Sequence, residues 1–297
     1  MQAEILTPAL TIFNDDGSID YKGNQKLIRH LIDHKVNGIV PLGSTGEFTT
    51  LSFEEKKNFL DFYLSEAGGS VKVLPGTGCI DYKQTIELSN FALEKGAEGV
   101  LIIGQYYYGM TQKDIFHYYG YLAERIDGNI YLYNFPARTG TDFTPETILR
   151  LLQSHKNIVG MKESVSSFAH TRDIMQLIKE DFPDFKMYSG FDDQFLDNID
   201  YGGQGSIGAI SNILPGLWSK WVASKNSGDY EQIVVIKQKI LSLMRLYEIE
   251  CNCSGLFKEI LKARGLEIST TTLFPFEHIE KESVEEALSI ISKVMDE

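Results

Sequence analysis

Short apolar runs alternate along the chain with longer segments in which apolar residues recur at helical spacing. Each short run is rich in β-branched residues and is bounded by glycine, proline or polar residues, which is the pattern of a buried strand. On this basis we predict eight strands, at residues 5–12, 38–42, 72–75, 99–103, 129–133, 158–162, 186–189 and 205–210.

The segments between these runs predict helices, and several begin with a recognisable start signal. Ser52 is followed by Glu55 at the spacing of a capping box, and Asp81 is placed to cap the next helix. Pro145 occupies the first helical position after Thr144, where its missing N–H is not needed. The predicted helices span residues 21–37, 52 onward, 81–95, 111–126, 144 onward, 167–179 and a short segment from 192, followed by 217–226, 229–248, 255–264 and 281–295.

Eight strand–helix units within the first 225 residues indicate an α/β fold with a parallel sheet. A parallel sheet is covered on both faces, and eight units is the number that closes a (β/α)8 TIM barrel. An open doubly wound sheet is the alternative, but no Gly-x-Gly-x-x-Gly follows the first strand. We therefore predict a barrel over residues 1–225 and a C-terminal helical extension over 226–297 that packs on it.

Composition narrows the class of protein further. The chain has 297 residues and a net charge of −13, and no block of lysine or arginine interrupts it. This argues against nucleic acid or an anionic membrane as a partner. We find no signal-peptide pattern and no apolar stretch long enough for a membrane span. Cys79, Cys251 and Cys253 cannot all pair, and the spacing of the last two is not that of a zinc site. These features predict a cytoplasmic enzyme.

Residues with useful chemistry follow the predicted strands, where a barrel of this kind carries its active site. After strand 2 comes Gly43-Ser44-Thr45-Gly46-Glu47, whose hydroxyls and backbone N–H groups could hold a carboxylate. A tight strand–helix turn with incidental hydroxyls is the alternative. Glu47 could be a second acid in the site, but at the start of a helix we interpret it as complementing the helix dipole. After strand 4 come Tyr106, Tyr107 and Tyr108, which are typical of packing or an interface.

Lys162 ends strand 6 and Tyr133 ends strand 5. A lysine in this position is either a surface residue just past the strand or a half-buried amine. Neighbouring parallel strands lie about 4.8 Å apart, so both side chains can face one cavity. A neutral amine is a nucleophile toward carbonyls, and a phenol can shuttle its proton. With Ser44 and Thr45 to hold a carboxylate, this set predicts imine formation with a keto acid.

In order and spacing, these residues resemble the dihydrodipicolinate synthase / N-acetylneuraminate lyase family of pyruvate-dependent class I aldolases. The similarity extends from about residue 5 to residue 275. It rests on the turn at 43–47 and on Tyr133-Asn134-Phe135-Pro136-Ala137-Arg138-Thr139-Gly140, Gly160-Met161-Lys162-Glu163 and Gly202-Gly203-Gln204-Gly205-Ser206-Ile207.

The resemblance implies a role for each matching residue. Lys162 would form the Schiff base with pyruvate, and Tyr133 would relay protons over it. Ser44 stands where the family usually has a relay threonine, and Thr45, with Gly43 in the same turn, would hold the pyruvate carboxylate. Tyr107 matches a tyrosine inserted into the site of a neighbouring subunit, which implies a homo-oligomer, most often a dimer of dimers. Ile207 would lie beside pyruvate. The family uses neither a metal nor an organic cofactor.

The aldehyde partner is less clearly indicated. Arg138 matches the arginine with which synthases bind aspartate semialdehyde, and a guanidinium is a planar fork suited to a carboxylate. We therefore favour a 4-hydroxy-tetrahydrodipicolinate synthase type condensation, with a structural ion pair as the alternative role of Arg138. The other candidate functions are a 2-keto-3-deoxy sugar acid aldolase (2-keto-3-deoxygluconate or N-acetylneuraminate type) and a catalytically silent pyruvate sensor. The features that favour the sugar acid aldolase are Phe135, Asp142, Thr144, His170 and Phe191-Asp192-Asp193, together with Gln105 and Tyr108, which depart from the synthase pattern.

Two other sets of residues argue against additional ligands. The lysine-feedback site of regulated synthases is replaced here, and we predict no inhibition by lysine; the replacing residues are Phe53, Lys56, Ile80 and Gln84. His30 and His34 are spaced for a metal on one helix face, but no third ligand is evident nearby, and we predict a solvated helix face.

Overall fold

The structure is a computed structural model that describes residues 2–276 and 278–296. Its eight strands are β1 (Glu4–Thr7), β2 (Gly38–Ile39), β3 (Lys72–Val73), β4 (Val100–Ile103), β5 (Ile130–Asn134), β6 (Ile158–Glu163), β7 (Lys186–Ser189) and β8 (Gly205–Ser206). The helices before β8 are α1 (Tyr21–Asp33), α2 (Phe53–Ala67), α3 (Tyr82–Glu94), α4 (Gln112–Ala123), α5 (Pro136–Thr139), α6 (Pro145–Ser154), α7 (Phe168–Ile178) and α8 (Phe195–Asp200). Those after it are α9 (Pro215–Ser227), α10 (Tyr230–Leu243), α11 (Leu246–Ile249), α12 (Cys253–Ala263) and α13 (Lys281–Asp296).

Eight parallel strands with helices between them form a TIM barrel, and further helices follow β8. The predicted fold class is confirmed. None of the helices in the described part of the chain is long and apolar enough to cross a membrane.

Four predicted strands are too long, because β2 ends at Ile39 rather than 42 and β3 at Val73 rather than 75, and the first and eighth also overrun. Residues 8–12 are buried but lie outside β1, which ends at Thr7. Pro8 follows directly, and proline has no N–H to donate to a neighbouring strand. The eighth strand ends at Ser206, and Ala209–Asn212 forms a 3₁₀ turn in place of the predicted extension. Apolar character therefore predicted correctly which segments are buried. It did not predict where the strand pairing ends.

The predicted helix starts are confirmed at their caps. Ser52 and Glu55 form both halves of a capping box, because each side chain binds the other residue's backbone N–H. Asp81 accepts from the N–H of Lys83 at the start of α3. Thr144 caps α6 with Pro145 in its first turn. The predicted helix at 229–248 is divided by Met244 into α10 and α11.

The chain divides into two compact units, and each is described by itself. The first unit comprises the residues up to Leu6 and Lys72–Gly208, and the second comprises Thr7–Val71 and the residues from Ala209 onward. The predicted boundary between barrel and extension at residue 225 stays a prediction.

In the first unit, β4 to β8 pair side by side in sequence order, and β1 pairs with β8. All of these pairs are parallel. Between β5 and β6 the register shifts by one residue: Ile130 pairs with Ile158, whereas Tyr131 pairs with Gly160. Val159 is therefore an extra residue in β6, a β-bulge that lies just before the predicted catalytic segment.

The second unit contains β2, α1, α2 and the helices that follow β8. There α9 packs on α10, and both α10 and α12 pack on α13. Trp218 and Trp221 of α9 are fully buried, with ring centroids 5.0 Å apart, and so belong to the core of this unit.

Candidate active site

Lys162 and Tyr133 lie opposite each other on adjacent strands. The two residues are register partners in the β5–β6 pair. Both are buried, at 6% and 5% exposure, and the Lys162 Nζ lies 4.6 Å from the centroid of the Tyr133 ring. Lys162 is thus a buried amine rather than a surface residue past the strand. An amine placed over a phenol ring is suited to nucleophilic attack on a carbonyl with the phenol as proton relay.

Gly160, two residues before Lys162, allows the strand to approach a tyrosine ring. A Cβ at Gly160 would lie 2.5 Å from the Tyr131 ring and 2.6 Å from the carbonyl oxygen of Lys186. Only glycine fits this contact without a shift of its neighbours. The residue therefore packs β5, β6 and β7 closely together at the level below the catalytic pair.

A second polar cluster lies in the first unit, on residues of β1, β3, β5 and β7. The Tyr188 hydroxyl donates to the buried Glu4 carboxylate, which also binds the Lys72 ammonium at 2.8 Å. Burial, followed by the Glu4 charge, raises the pKa of Tyr188 well above its usual range, so this phenol stays protonated. Tyr131 lies beside it, with ring centroids 6.2 Å apart. No pattern in the sequence predicts a role for these residues.

The residues that follow the catalytic pair point the other way and form a buried network. The Asn134 side-chain amide donates to Glu163 at 2.8 Å and to Asp142 at 2.7 Å. His170, near the start of α7, lies 3.3 Å from the Glu163 carboxylate and 3.6 Å from Asp142. Its other contact is with the carbonyl of Phe143, at 2.8 Å. These contacts connect the C-terminal ends of β5 and β6 to α7.

Electrostatics make this network a charged one near neutral pH. The Glu163 carboxylate raises the pKa of His170 to about 9, against an opposing effect of burial. Burial raises the pKa of Glu163, and its contacts with His170 and Asn134 offset part of that rise. A protonated His170 imidazole therefore lies beside the fully buried side chain of Glu163, the residue that follows Lys162 on β6.

Arg138 lies in the last turn of α5, just beyond Tyr133. It is exposed, and its guanidinium carbon lies 5.8 Å from the Phe135 ring. Within the part of the chain that the structure describes, its guanidinium has no carboxylate partner, which disfavours the structural ion pair considered for it. The Phe135 ring stacks in turn on Tyr133, with centroids 6.0 Å apart.

The loop after β4 presents two tyrosines to the outside. Tyr107 and Tyr108 are 76% and 72% exposed, and their rings meet edge to face with centroids 4.9 Å apart. This loop is hydrogen-bonded to the segment after α5, because the N–H of Met110 donates to the hydroxyl of Thr141 at 2.8 Å. Tyr106 is half-buried instead.

Ile207 is buried directly after β8, where its N–H donates to the carbonyl of Ser189 at 2.8 Å. Asp192, one of the residues that resemble sugar acid aldolases, is also fully buried. A Cβ at Gly208 would lie 2.4 Å from the Asp192 carboxylate, so the backbone after Ile207 passes close against this acid.

The predicted carboxylate-binding turn belongs to the second unit. Ser44–Gly46 forms a 3₁₀ turn that begins at Gly43, with Ser44 exposed and Thr45 half-buried. Glu47 precedes a short 3₁₀ helix (Phe48–Thr50), as predicted, but its side chain makes no capping hydrogen bond there. Its buried carboxylate forms an ion pair with Lys258 of α12, with Nζ 2.6 Å from Oε2. Because 211 residues separate the two, no local pattern could have predicted the pair.

His30 and His34 lie in the second unit with ring centroids 4.5 Å apart. His34 is exposed, as predicted for a solvated helix face, whereas His30 is half-buried. Burial lowers the pKa of His30 to about 4. Among the described residues, no group of three or more His, Cys, Asp or Glu side chains is placed to hold a metal ion.

Comparison with known proteins places this site in a family. The profile of the Dihydrodipicolinate synthetase family matches residues 1–294. The chain belongs to this family. Its members are lyases and aldolases, so the protein is an enzyme of the lyase class, as predicted.

The relatives fall into two groups within the family. The chain is 34% identical to the putative 2-dehydro-3-deoxy-D-gluconate aldolase YagE of Escherichia coli (strain K12), over 91% of this chain and 90% of that protein. It is 38% identical to the 4-hydroxy-tetrahydrodipicolinate synthase of Kosmotoga olearia, over 79% of each. Family membership therefore leaves the choice between the two reactions open.

Solved structures of the family agree with the fold. The crystal structure of YagE in complex with pyruvate superposes with a TM-score of 0.95 at 31% identity, covering 99% of this chain and 98% of that one. A monomeric dihydrodipicolinate synthase variant gives a TM-score of 0.90 at 30% identity, with 99% and 96% covered.

Proposed function

We propose that the protein is a pyruvate-dependent aldolase in which Lys162 forms an imine with the substrate. One observation carries the proposal: the buried Lys162 amine lies 4.6 Å from the Tyr133 ring, on the adjacent strand. The presence of pyruvate in the YagE crystal structure supports the choice of keto acid.

The proposed reaction begins with addition of the neutral Lys162 amine to the C2 carbonyl of pyruvate. The carbinolamine loses water, with Tyr133 supplying and recovering the proton, and gives an imine. Loss of a proton from C3 then forms an enamine. The enamine carbon attacks the aldehyde carbon, a C–C bond forms, and the aldehyde oxygen takes up a proton. Water finally hydrolyses the imine and frees the product; the reverse sequence is a cleavage that releases pyruvate.

The other site residues take the roles that the family resemblance implies. Gly43, Ser44 and Thr45 bind the pyruvate carboxylate, and the Ser44 hydroxyl relays protons with Tyr133. Ile207 packs beside pyruvate. In this proposal the side chains carry out all steps, without a metal or an organic cofactor.

For the aldehyde, we favour aspartate semialdehyde and a 4-hydroxy-tetrahydrodipicolinate synthase type condensation. Arg138 supports this choice, because its exposed guanidinium is not engaged by a carboxylate among the described residues. A planar guanidinium binds a carboxylate through two parallel hydrogen bonds and so selects an aldehyde that carries one.

A second candidate is cleavage of a 2-keto-3-deoxy sugar acid. The similarity to YagE over nine-tenths of the chain favours it. The network of Asn134, Asp142, Glu163 and His170 weakens it, since two of the sugar-acid-like residues bind other side chains there. Phe135 and the buried Asp192 remain as the features that support this reaction.

We also propose that the enzyme works as a homo-oligomer, a dimer of dimers, with Tyr107 completing the site of a neighbouring subunit. Its high exposure, on a loop that is hydrogen-bonded to the segment after α5, supports this role. Sedimentation of the purified protein tests it: a species of monomer mass at assay concentrations, with full activity, contradicts the proposal.

Borohydride reduction in the presence of pyruvate tests the mechanism. We expect a covalent adduct on Lys162, located by peptide mass spectrometry, and none in Lys162→Met. Lys186→Met is the matched control, because it removes a lysine at the N-terminal end of the neighbouring strand β7. It should leave the adduct intact. An adduct on another residue, or none, contradicts the mechanism; an adduct without turnover of any aldehyde supports the catalytically silent sensor instead.

Turnover with two substrates tests the reaction. We expect condensation of pyruvate with aspartate semialdehyde to be faster than cleavage of 2-keto-3-deoxygluconate. Arg138→Leu should reduce the first reaction, mainly through the KM for the semialdehyde, and leave the pyruvate adduct intact. If the semialdehyde reaction is unchanged in Arg138→Leu, the sugar acid aldolase becomes the preferred function.

A further inference from the structure

Helix α12, far along the chain, contacts the predicted carboxylate-binding turn at two points. Ser254 and Lys258 are four residues apart and therefore lie on one face of α12. The Ser254 hydroxyl donates to the carbonyl of Thr45 at 2.9 Å, and the Lys258 ammonium binds the Glu47 carboxylate at 2.6 Å. The two contacts fall on either side of Gly46.

A third contact fixes the residue between them. The Thr11 hydroxyl donates to the carbonyl of Gly46 at 2.7 Å, and a Cβ at Gly46 would lie 3.0 Å from the carbonyl oxygen of Ala9. The N–H groups of Gly46 and Glu47 are bonded to carbonyls inside the turn. Three successive residues of the turn are thus held, two by α12 and one by the segment after β1.

The turn is bounded by two residues in the left-handed region, where side chains other than glycine are strained. Leu42 has φ 57° and Glu47 has φ 53°. Such a conformation costs on the order of 1 kcal/mol or more per residue and persists only where the surroundings enforce it. For Glu47 the enforcing contact is the pair with Lys258.

The Glu47–Lys258 pair is buried. Lys258 is fully buried, its Nζ also binds the carbonyl of Thr271 at 3.0 Å, and it lies 4.7 Å from the Phe13 ring centroid. Burial lowers the pKa of Lys258, and the Glu47 charge opposes that effect. A buried ion pair adds little stability compared with apolar residues of the same size, whereas it specifies one orientation. Stability alone therefore does not account for this pair.

We propose that Ser254 and Lys258 of α12 are positioning residues that hold Ser44–Gly46 in the conformation that binds the substrate carboxylate. The inference rests on the proposed function, in which this turn receives pyruvate. It gives the helices after the barrel a part in substrate binding: α12 orders the turn before the substrate arrives, so that ordering does not weaken binding.

The test uses the full-length protein and separates a positioning role from a purely structural one. Ser254→Ala removes one hydrogen bond, and we expect the KM for pyruvate to rise about five- to tenfold, with kcat within about twofold of wild type. Lys262→Met, on the last turn of the same helix and exposed, is the control and should leave both constants unchanged.

A double variant gives the decisive comparison. Lys258→Met alone leaves the Glu47 carboxylate buried without its partner and should lower the melting temperature. Adding Glu47→Gln removes that charge and should restore the melting temperature, while the KM for pyruvate stays raised about tenfold because α12 no longer holds residue 47. A purely structural pair predicts that KM recovers together with the melting temperature, and this result overturns the inference.

The two possible failures are distinguishable. If wild-type protein forms no borohydride-trapped adduct with pyruvate at Lys162, the proposed function falls, and the inference falls with it. If wild type is trapped and Ser254→Ala and the double variant both keep the wild-type KM, only the inference is overturned.

Discussion

The ion pair between Glu163 and His170 makes a prediction about stability and pH. The Glu163 carboxylate raises the pKa of His170 to about 9 in the folded protein, whereas an unfolded histidine titrates near 6.5. Between these values the folded state holds a proton that the unfolded state has lost. The stabilisation is therefore complete below pH 6.5 and is lost as the pH rises through 9.

The size of the effect follows from the pKa shift. Each pKa unit corresponds to about 1.4 kcal/mol, so the shift of His170 sets an upper limit of about 3 kcal/mol. Two features of the structure reduce this value. The His170 side chain is 20% exposed, and the cost of burying the Glu163 carboxylate raises that group's own pKa. We expect a net effect of about 1–2 kcal/mol.

The assay compares wild type with Glu163→Gln, which removes the main cause of the raised pKa. Urea unfolding from pH 6 to 9.5 should show that wild type loses its advantage over the variant as the pH rises. Glu146→Gln, which removes an exposed carboxylate on α6, is the control and should run parallel to wild type. The chain has only six histidines, so NMR can follow the His170 imidazole directly. A constant difference between wild type and Glu163→Gln across this range, or an imidazole that titrates near 6.5, refutes the reasoning.

Three further predictions concern the catalytic pair, the strand beneath it and regulation. Tyr133→Phe should lower turnover about 10²- to 10⁴-fold in steady-state assays while the protein stays folded, because the proton relay is lost and the ring remains. Gly160→Ala should destabilise the protein by about 1–3 kcal/mol in thermal unfolding, because the added methyl would lie 2.5 Å from the Tyr131 ring. L-Lysine should leave the rate unchanged in either reaction, because the feedback residues are replaced at Phe53, Lys56, Ile80 and Gln84.

Each of these has a result that would contradict it. Near-normal turnover in Tyr133→Phe would remove Tyr133 from the proton relay. A Gly160→Ala protein as stable as wild type would mean that the Tyr131 ring moves aside at little cost. Inhibition by L-lysine at concentrations that leave the protein folded would indicate a different effector site.

The barrel and the position of Lys162 opposite Tyr133 could be predicted from the sequence, because both depend on the order of the strands along the chain. Strands that follow each other in a parallel barrel are neighbours, so residues at their ends come together whatever the packing of the helices. The predicted first strand was too long because residues 8–12 are apolar and buried without joining the ladder. Burial and strand pairing are separate properties, and hydrophobic pattern reports mainly the first.

The side-chain contacts that support the candidate site could not be predicted from the order of the strands. His170 meets Glu163 only because α7 begins beside the end of β6, and the single pattern that marked His170 was its family resemblance. Glu47 and Lys258 have no periodic relation at all. Partners of this kind depend on the angle at which helices pack, and single-sequence patterns carry little information about that angle.

The bulge at Val159 has a consequence for how this segment can change in length. From Gly160 onward, β6 pairs with β5 in a single register. Before the bulge, the pairing is shifted by one residue. Loss of Val159 would convert the irregular pair into a regular one, and Lys162 could still face Tyr133. Loss of Met161 would turn the amine away from the cavity, since a one-residue slip reverses every side chain beyond it. We therefore expect the strand to tolerate insertions and deletions only on the N-terminal side of Gly160.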